Sequence, residues 1–288
     1  MVKKRNIIIV VIIILLLLLT MSIVITFNKK EDKEIEDIFS ETIYTNYNKE
    51  TGVIEYNSPT MKITLENIKR ENPNINMWEV NIKLKSASQI KSAFAGEKFT
   101  LKDKEKTSEI AKKHDAVLAI NGAAYGFNEK GFVIRDKIIY RDTSLDVGPL
   151  IIKDNGDFEI FNHGEKTAEE MIDLGAMHVY DFGPDLIKNG VISDYGNTWY
   201  RNGKDPRTVI GQKGPLEYVI LVIDGRSKES EGMTLYDAAI ELKTRDCYYG
   251  YNLDGGGSTT LYFQGKVLNK PSDFMGERKI SDILYFVN

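Results

Sequence analysis

Two aspartates, Asp224 and Asp254, each end an apolar run and each precede a glycine, in VIDGR and NLDGGGSTT. Carboxylates delivered in this way to one edge of a sheet are the minimum equipment for acid/base or nucleophilic hydrolysis of a glycosidic bond. An aspartate before glycine also serves simply to cap a turn. What distinguishes Asp254 is its company. Gly255, Gly256 and Gly257 let backbone N–H groups close on an anion and tolerate positive φ, and Ser258, Thr259 and Thr260 add hydroxyls. The segment has neither the lysine of a Walker loop nor the G-x-G-x-x-G spacing of a dinucleotide site, so it reads as a loop for phosphate or for a sugar. Arg207, in DPRTVIG, and Arg226, in DGRS, offer planar forks for phosphate oxygens. Asn121, in AINGAAYGF, stands at a strand end as the aspartates do, placed to hydrogen-bond a sugar hydroxyl, to orient water or to cap its turn. His114, His163 and His178 are scattered without the spacing of a zinc site or a serine triad.

For these groups to meet, the elements that carry them must end together. Leu216 to Ile223 (LEYVILVI) reads as a buried strand ending at Asp224, and Tyr248 to Leu253 as a strand ending at Asp254. Between them, Thr234 to about Thr244 reads as a helix opened by a capping box of Thr234 and Asp237. Strand, helix and strand fit a right-handed crossover between parallel neighbours, which would set both aspartates in the crevice at the strands' carboxyl ends. Lys104 to His114 is helical in composition and leads into the short apolar strand Ala116 to Ile120, stopped by Asn121 and Gly122. MKITLENI and MWEVNIKL alternate like a half-buried antiparallel pair. GFVIRDKIIY and LIIKDNGDFEIF are built as hairpins, TAEEMIDL as a short helix with Thr167 and Glu170 as its capping box, and residues 177–192 as two strand pieces around Phe182 to Asp185. The fold class predicted is α/β (mixed α+β), a central mixed β-sheet with flanking helices. It forms a single domain over residues 59–288, with a β portion at 59–114 and the motifs in 115–288.

Of the 288 residues, 42% are hydrophobic and 28% charged, which supports a packed core and excludes a disordered chain. The net charge of -4, with no basic cluster interleaved with aromatics, excludes a nucleic-acid surface. A single cysteine, Cys247, rules out an intramolecular disulfide and a cysteine metal cluster and reads as packing. Ile7 to Phe27 carries no charge over 21 residues, long enough as a helix for the ~30 Å hydrocarbon layer. Lys3, Lys4 and Arg5 hold residues 1–6 in the cytoplasm. No small-residue cleavage site precedes Lys29, so residues 7–27 are expected to anchor the chain, 28–58 to form an extracytoplasmic stalk and the domain to lie outside the cell membrane.

Several long stretches together resemble the phosphodiester glycosidase family, bacterial relatives of the enzyme that removes N-acetylglucosamine from a sugar-phosphate diester. They are KTSEIAKKHDAVLAINGAAYGF, FGPDLIKNG, DPRTVIGQ, VIDGRSKESEGMTLYDAA, YNLDGGGSTTLYFQGKVLNKPSD and ERKISDILYF, in family order over about residues 77–288. The resemblance implies hydrolysis of the bond between an anomeric carbon and a phosphodiester oxygen. It implies catalytic roles for Asp254, Asp224, Asn121 and Arg207. Substrate or phosphate would be bound by Arg226, Glu231, Gly232, the loop Gly255, Gly256, Gly257, Ser258, Thr259 and Thr260, and by Asp185 and Arg278. The chain departs from the family pattern at Ala123, where relatives often carry an acidic residue. Two other readings stay open. One is a phosphodiesterase attacking phosphorus with a divalent cation on Asp224, Asp254 and Glu231; the other is a non-catalytic binding module for envelope glycopolymers. No cofactor is required by the sequence, and the expected partners are a sugar-phosphate diester or envelope glycopolymer and the membrane. The sequence says nothing of oligomeric state.

Overall fold

The computed structural model describes Ser22, residues 44–194 and residues 202–288. The expected anchor at 7–27 lies, apart from Ser22, outside the described residues, as do residues 1–6 and 28–43. Among the described residues no helix is long and apolar enough to cross a membrane. The chain divides into two compact units, residues 1–56 and 57–288. In the first, Thr45–Tyr47 pairs antiparallel with residues 54–56, so the end of the expected stalk is a hairpin. Its signal is the alternation Ile54-Glu55-Tyr56, of which Ile54 and Tyr56 are buried.

The second unit is rich in strands, and among its described residues every ladder is antiparallel. Its main sheet carries, in spatial order, Met61–Arg70, Ile75–Leu84, Glu217–Ile223, Arg207–Gly214, Tyr249–Asn252, Asp185–Lys188 and Val191–Ile192. The expected central mixed sheet is therefore corrected to an antiparallel one. Glu217–Ile223 and Tyr249–Asn252 do run parallel, but they are not neighbours. Arg207–Gly214 lies between them, with Arg207 opposite Ile223 and Val209 opposite Asn252. The expected crossover spans one strand more than the sequence suggests, and its consequence survives. Both aspartates emerge at one edge, on either side of the start of the strand that Arg207 opens.

Glu217–Ile223 is buried on both faces, which is why its sequence is a continuous apolar run. Val219, Leu221 and Ile223 face a cluster with Leu235, Ala238, Ala239 and Leu242 of helix α3 (Leu235–Lys243). On the other face Tyr218 packs against Phe158 and Phe286. The α3 cap is half of the expected box: Thr234 Oγ1 accepts from the Asp237 amide at 3.0 Å, and the Asp237 carboxylate takes the Thr234 hydroxyl rather than a backbone N–H. Cys247 lies in the same cluster, where burial pushes its thiol up to about 12, so it packs and stays protonated.

A second sheet runs Lys266–Val267, Leu261–Phe263, Leu118–Asn121, Asp282–Phe286, Ile90–Phe94. A third contains both expected hairpins, Val133–Arg135 with Ile138–Arg141 and Leu150–Lys153 with Phe158–Ile160, joined through Ala176–Tyr180. The two strand pieces expected around Phe182 to Asp185 exist but enter different sheets. Helix α1 covers only Thr107–Lys113, where the sequence suggested 104–114. Glu105 and Lys106 are instead extended and paired with Lys279–Ile280, a long-range bond that local composition cannot announce. Helix α2 (Ala168–Asp173) has the expected Thr167–Glu170 box.

Candidate active site

Residues 253–260 carry the chain from the main sheet, at Tyr249–Asn252, into the second sheet, at Leu261–Phe263. Backbone bonds fix both sides of this crossing. Leu253 N–H donates to Thr208 O at 2.9 Å, Asp254 N–H to Gly122 O at 3.1 Å and Gly256 N–H to Pro206 O at 2.9 Å. Asn121 locks the seam. Its Nδ2 donates to Asp254 O at 2.6 Å, while its Oδ1 accepts from the Thr208 hydroxyl at 2.8 Å and the Thr260 amide at 3.2 Å. With no exposed surface, Asn121 is a clamp on the loop.

Each glycine of the triplet answers a different neighbour. A β-carbon on Gly255 would stand 2.7 Å from Pro206 O, one on Gly256 would stand 3.0 Å from Arg226 Nη2, and one on Gly257 would stand 2.5 Å from Arg278 Nη2. Gly256 also has φ +60, a region that side chains rarely adopt. The two arginines are aimed by carboxylates. Arg226 Nε is 3.0 Å from Asp205 Oδ1, and Arg278 Nε is 2.8 Å from Asp273 Oδ2. Arg226 also places Nη2 2.9 Å from the same Asp205 oxygen, whereas Arg278 is held by Nε and lays its outer nitrogens over Gly257. The arrangement is a two-sided cationic lining around glycine backbone, suited to an anion.

Asp254 keeps a window on solvent although protein surrounds most of it. Burial raises its pKa, opposed by the Gly255 amide, 2.9 Å from Oδ1, and by Arg278. The Ser258 hydroxyl favours the carboxylate electrostatically without completing a hydrogen bond of good geometry. Ser258 Oγ and Thr259 Oγ1 are both buried and without a hydrogen-bond partner, whereas the Thr260 hydroxyl donates to Ser258 O at 3.1 Å.

Asp224 is differently placed. Its Oδ2 accepts from Asn76 Nδ2 at 2.7 Å, and its Oδ1 accepts from Asn269 Nδ2 and the Lys270 amide, each at 3.1 Å. Burial raises its pKa and these donors lower it. Asn269 in turn donates to Thr259 O at 3.0 Å and accepts from Leu261 N–H at 2.7 Å, so Asp224 braces the loop through Asn269. Arg207 is also buried. Its Nε donates to Met233 O at 3.0 Å and its Nη2 to Gly203 O at 2.7 Å, joining segments beneath the site; burial lowers its pKa.

Gly232, φ +86, fits against the Asp205 backbone, 2.5 Å from a would-be β-carbon, and closes the same convergence of strand ends. Glu231 is exposed and paired with Lys204 at 2.9 Å. Asp185 accepts from the Ser193 hydroxyl and lines a separate hollow with His163 and Asp194. Among the described residues no three His, Cys, Asp or Glu side chains gather as a metal-holding group.

The sequence missed four contributors. Nothing in the sequence singles out Asn76 or Asn269, whose pairing to Asp224 is entirely tertiary. Asp282, wholly buried, accepts from the Ala123 amide at 3.1 Å and is paired with Arg135, whose guanidinium lies 3.9 Å over the Tyr180 ring. It brings a carboxylate behind Ala123. Lys104 was read into a helix. It stands on the Phe127 ring, within the electrostatic reach of Asp254.

A family model described as phosphodiester glycosidase matches residues 114–287. The SPbeta prophage-derived protein YomE of Bacillus subtilis (strain 168) is 31% identical over 194 residues, which are 65% of this chain and 30% of that one. The N-acetylglucosamine-1-phosphodiester alpha-N-acetylglucosaminidase of Bos taurus is 37% identical over 67 residues, 23% of this chain and 12% of that one. The chain thus spans less than a third of the length of these relatives. Among solved structures, the catalytic domain of the zebrafish N-acetylglucosamine-1-phosphodiester alpha-N-acetylglucosaminidase, auto-inhibited by its pro-peptide, superposes with a TM-score of 0.65 at 20% identity. That alignment covers 81% of this chain and 85% of the other, and the likeness is one of fold.

Proposed function

The chain belongs to the phosphodiester glycosidase family, and from that premise we propose that it hydrolyses the bond between a sugar's anomeric carbon and a phosphodiester oxygen. The observation that carries this reading is the pair Arg226 and Arg278, each laid against a glycine of the loop that begins at Asp254. Cleavage of the diester releases a phosphate monoester, a good leaving group, so the site has little need of a proton donor and much need of positive charge where the phosphate separates. Two guanidiniums over open backbone meet that need.

In this scheme Asp254 faces the anomeric carbon as nucleophile or base. The bond from the anomeric carbon to oxygen breaks with its electron pair left on the departing phosphate monoester. Water supplies the oxygen that ends on the sugar, and its proton passes to the carboxylate. A pKa raised by burial suits a group that must take up that proton. Asp224, with both oxygens engaged by amides, supports the loop through Asn269, and Asn121 and Arg207 likewise act by positioning. The uncharged run at residues 7–27 argues for a domain held outside the membrane, and so for envelope or exopolysaccharide sugar phosphates as substrates.

The test is to incubate the protein with sugar 1-phosphodiesters, an N-acetylglucosamine one among them, in ¹⁸O water. Free sugar carrying the label supports the reading. Label in the phosphate would move the attack to phosphorus, and binding without turnover would leave a glycopolymer-binding module.

A further inference from the structure

Lys104 Nζ lies 3.3 Å from the centroid of the Phe127 ring and 3.4 Å from the Ser281 hydroxyl. A β-carbon at Gly126 would fall 2.9 Å from it and 2.3 Å from Ser281 Oγ, so the loop is shaped around this ammonium. Two other lysines of this region are ion-paired, Lys98 with Asp103 at 3.6 Å and Lys113 with Glu105 at 2.7 Å. None of the ion pairs among the described residues includes Lys104. An aromatic face attracts an ammonium without cancelling its charge, and Phe127 is itself 57% exposed. The result is a fixed cation that stays available.

Its position is set by the pairing of Glu105–Lys106 with Lys279–Ile280, which carries Lys104 toward Ser281 and Arg278 toward the start of α1. The loop beneath it is part of the site. Gly126 N–H donates to Ser281 Oγ at 3.2 Å, and Gly122 O, at the other end of that loop, receives the Asp254 amide at 3.1 Å. Partial burial lowers the pKa of Lys104, and the negative charge of Asp254 opposes the shift.

We propose that Lys104 is a third phosphate-holding cation, which contacts a phosphodiester oxygen of the substrate together with Arg226 and Arg278. The inference deepens the glycosidase reading and rests on it for the identity of the substrate. Phe127 is a positioning residue in this scheme, the surface that keeps the ammonium aimed while one of its three donors reaches Ser281.

The experiment compares the full-length protein with Lys104→Gln, which keeps a donor for Ser281 and loses the charge, and with Lys104→Arg, which keeps the charge. Lys104→Met serves as a second neutral variant should Lys104→Gln not fold. Inorganic phosphate binding is titrated by ³¹P NMR, and KM and kcat are measured on an N-acetylglucosamine 1-phosphodiester and on a neutral aryl glycoside of the same sugar. A neutral side chain is expected to weaken phosphate binding and raise KM for the diester by roughly tenfold, the worth of one charge-assisted hydrogen bond. Lys104→Arg should retain most of both, and the neutral glycoside should be unaffected by either change. Phosphate binding and diester KM equal to wild type in Lys104→Gln would overturn the proposal while leaving the glycosidase reading intact. Lys104-dependent phosphate binding in a protein that releases no sugar would do the reverse.

Discussion

Arg278 lies across Gly257 with its Nη2 only 2.5 Å from where a β-carbon would stand. The glycine is therefore part of the arginine's seat. Gly256 stands in the same relation to Arg226, but Gly255 does not: what presses on it is the backbone oxygen of Pro206. One triplet thus serves two purposes, strand-edge packing at its first residue and close approach by guanidinium at the other two.

That division predicts opposite outcomes for two alanine substitutions. In Gly257→Ala the obstructing atoms are the far end of a flexible side chain, so Arg278 can swing away and the fold should hold, with Tm within a few degrees of wild type. Phosphate binding and turnover should fall by roughly tenfold or more as the guanidinium leaves the loop. In Gly255→Ala the obstruction is backbone, and overpacking of this kind costs about 1–3 kcal/mol. Calorimetry and a phosphate titration on both variants decide the matter; a destabilised Gly257→Ala would show the triplet to be structural throughout.

Asp254→Asn should separate stability from activity. Burial raises the Asp254 pKa, so the folded state holds the proton more tightly than the unfolded one. The folded state is accordingly favoured at low pH, and that advantage is lost as pH rises through the folded pKa. At neutral pH the wild type carries the cost of a desolvated carboxylate, and a neutral amide relieves it. Asp254→Asn should melt higher than wild type at pH 7 while hydrolysis drops by roughly 10²–10⁴-fold. In wild type the acid limb of the activity profile should lie above the ordinary carboxylate range, because the ionised form is the working one. Turnover that survives the substitution would remove Asp254 from the chemistry.

Much of this was legible in the sequence because apolar runs end where chemistry begins. VILVI stops at Asp224 and YGYNL at Asp254, and both emerge at one edge. The strand between them was not legible. Arg207–Gly214 mixes an arginine, a threonine, a glutamine, a lysine and two glycines with only two branched aliphatics, and its strand character comes from neighbours on both sides. Asn121 shows the limit for side chains: its type and strand-end position suit either a sugar or a clamp. Its three partners, drawn from residues 208, 254 and 260, make it a clamp, and they come together only in the folded chain. Lys104 failed for the reason that makes it interesting, since its setting comes from Phe127 and Ser281 and not from the charged residues around it in sequence.

Behind Ala123, the pair Arg135–Asp282 has almost no access to water on either side, with side-chain exposures of 3% and 0%. Losing one partner strands the other, which typically costs about 3–5 kcal/mol. Arg135→Met and Asp282→Asn should each destabilise by that order in urea unfolding. The double variant should be far less destabilised than the sum of the two, because neither charge is left alone. Simple additivity would mean that the two residues are not coupled and that Asp282 acts only through the Ala123 amide.

His178 should set part of the acid sensitivity of the fold. Its ring is 1% exposed, and burial, with Arg135 second, pushes its pKa from 6.5 down to about 3. Asp136 and Lys91 are the other charged groups that act on it. The folded state keeps His178 neutral where the unfolded chain takes a proton, so the stabilisation is complete above pH 6.5 and is lost as pH falls toward 3. Buried carboxylates such as Asp181 and Asp224 have raised pKa values and act with the opposite sign over part of that range. The comparison must therefore be a difference. In His178→Asn an acceptor can replace Nδ1, which receives the Asp136 amide at 3.3 Å, and nothing at this position titrates. Full one-proton linkage is worth about 1.4 kcal/mol per pH unit. Between pH 6.5 and 4.5 the wild type should therefore lose about 2–3 kcal/mol relative to the variant in urea unfolding. A gap that stays constant over that interval would mean that His178 titrates alike in both states and contributes nothing to acid unfolding.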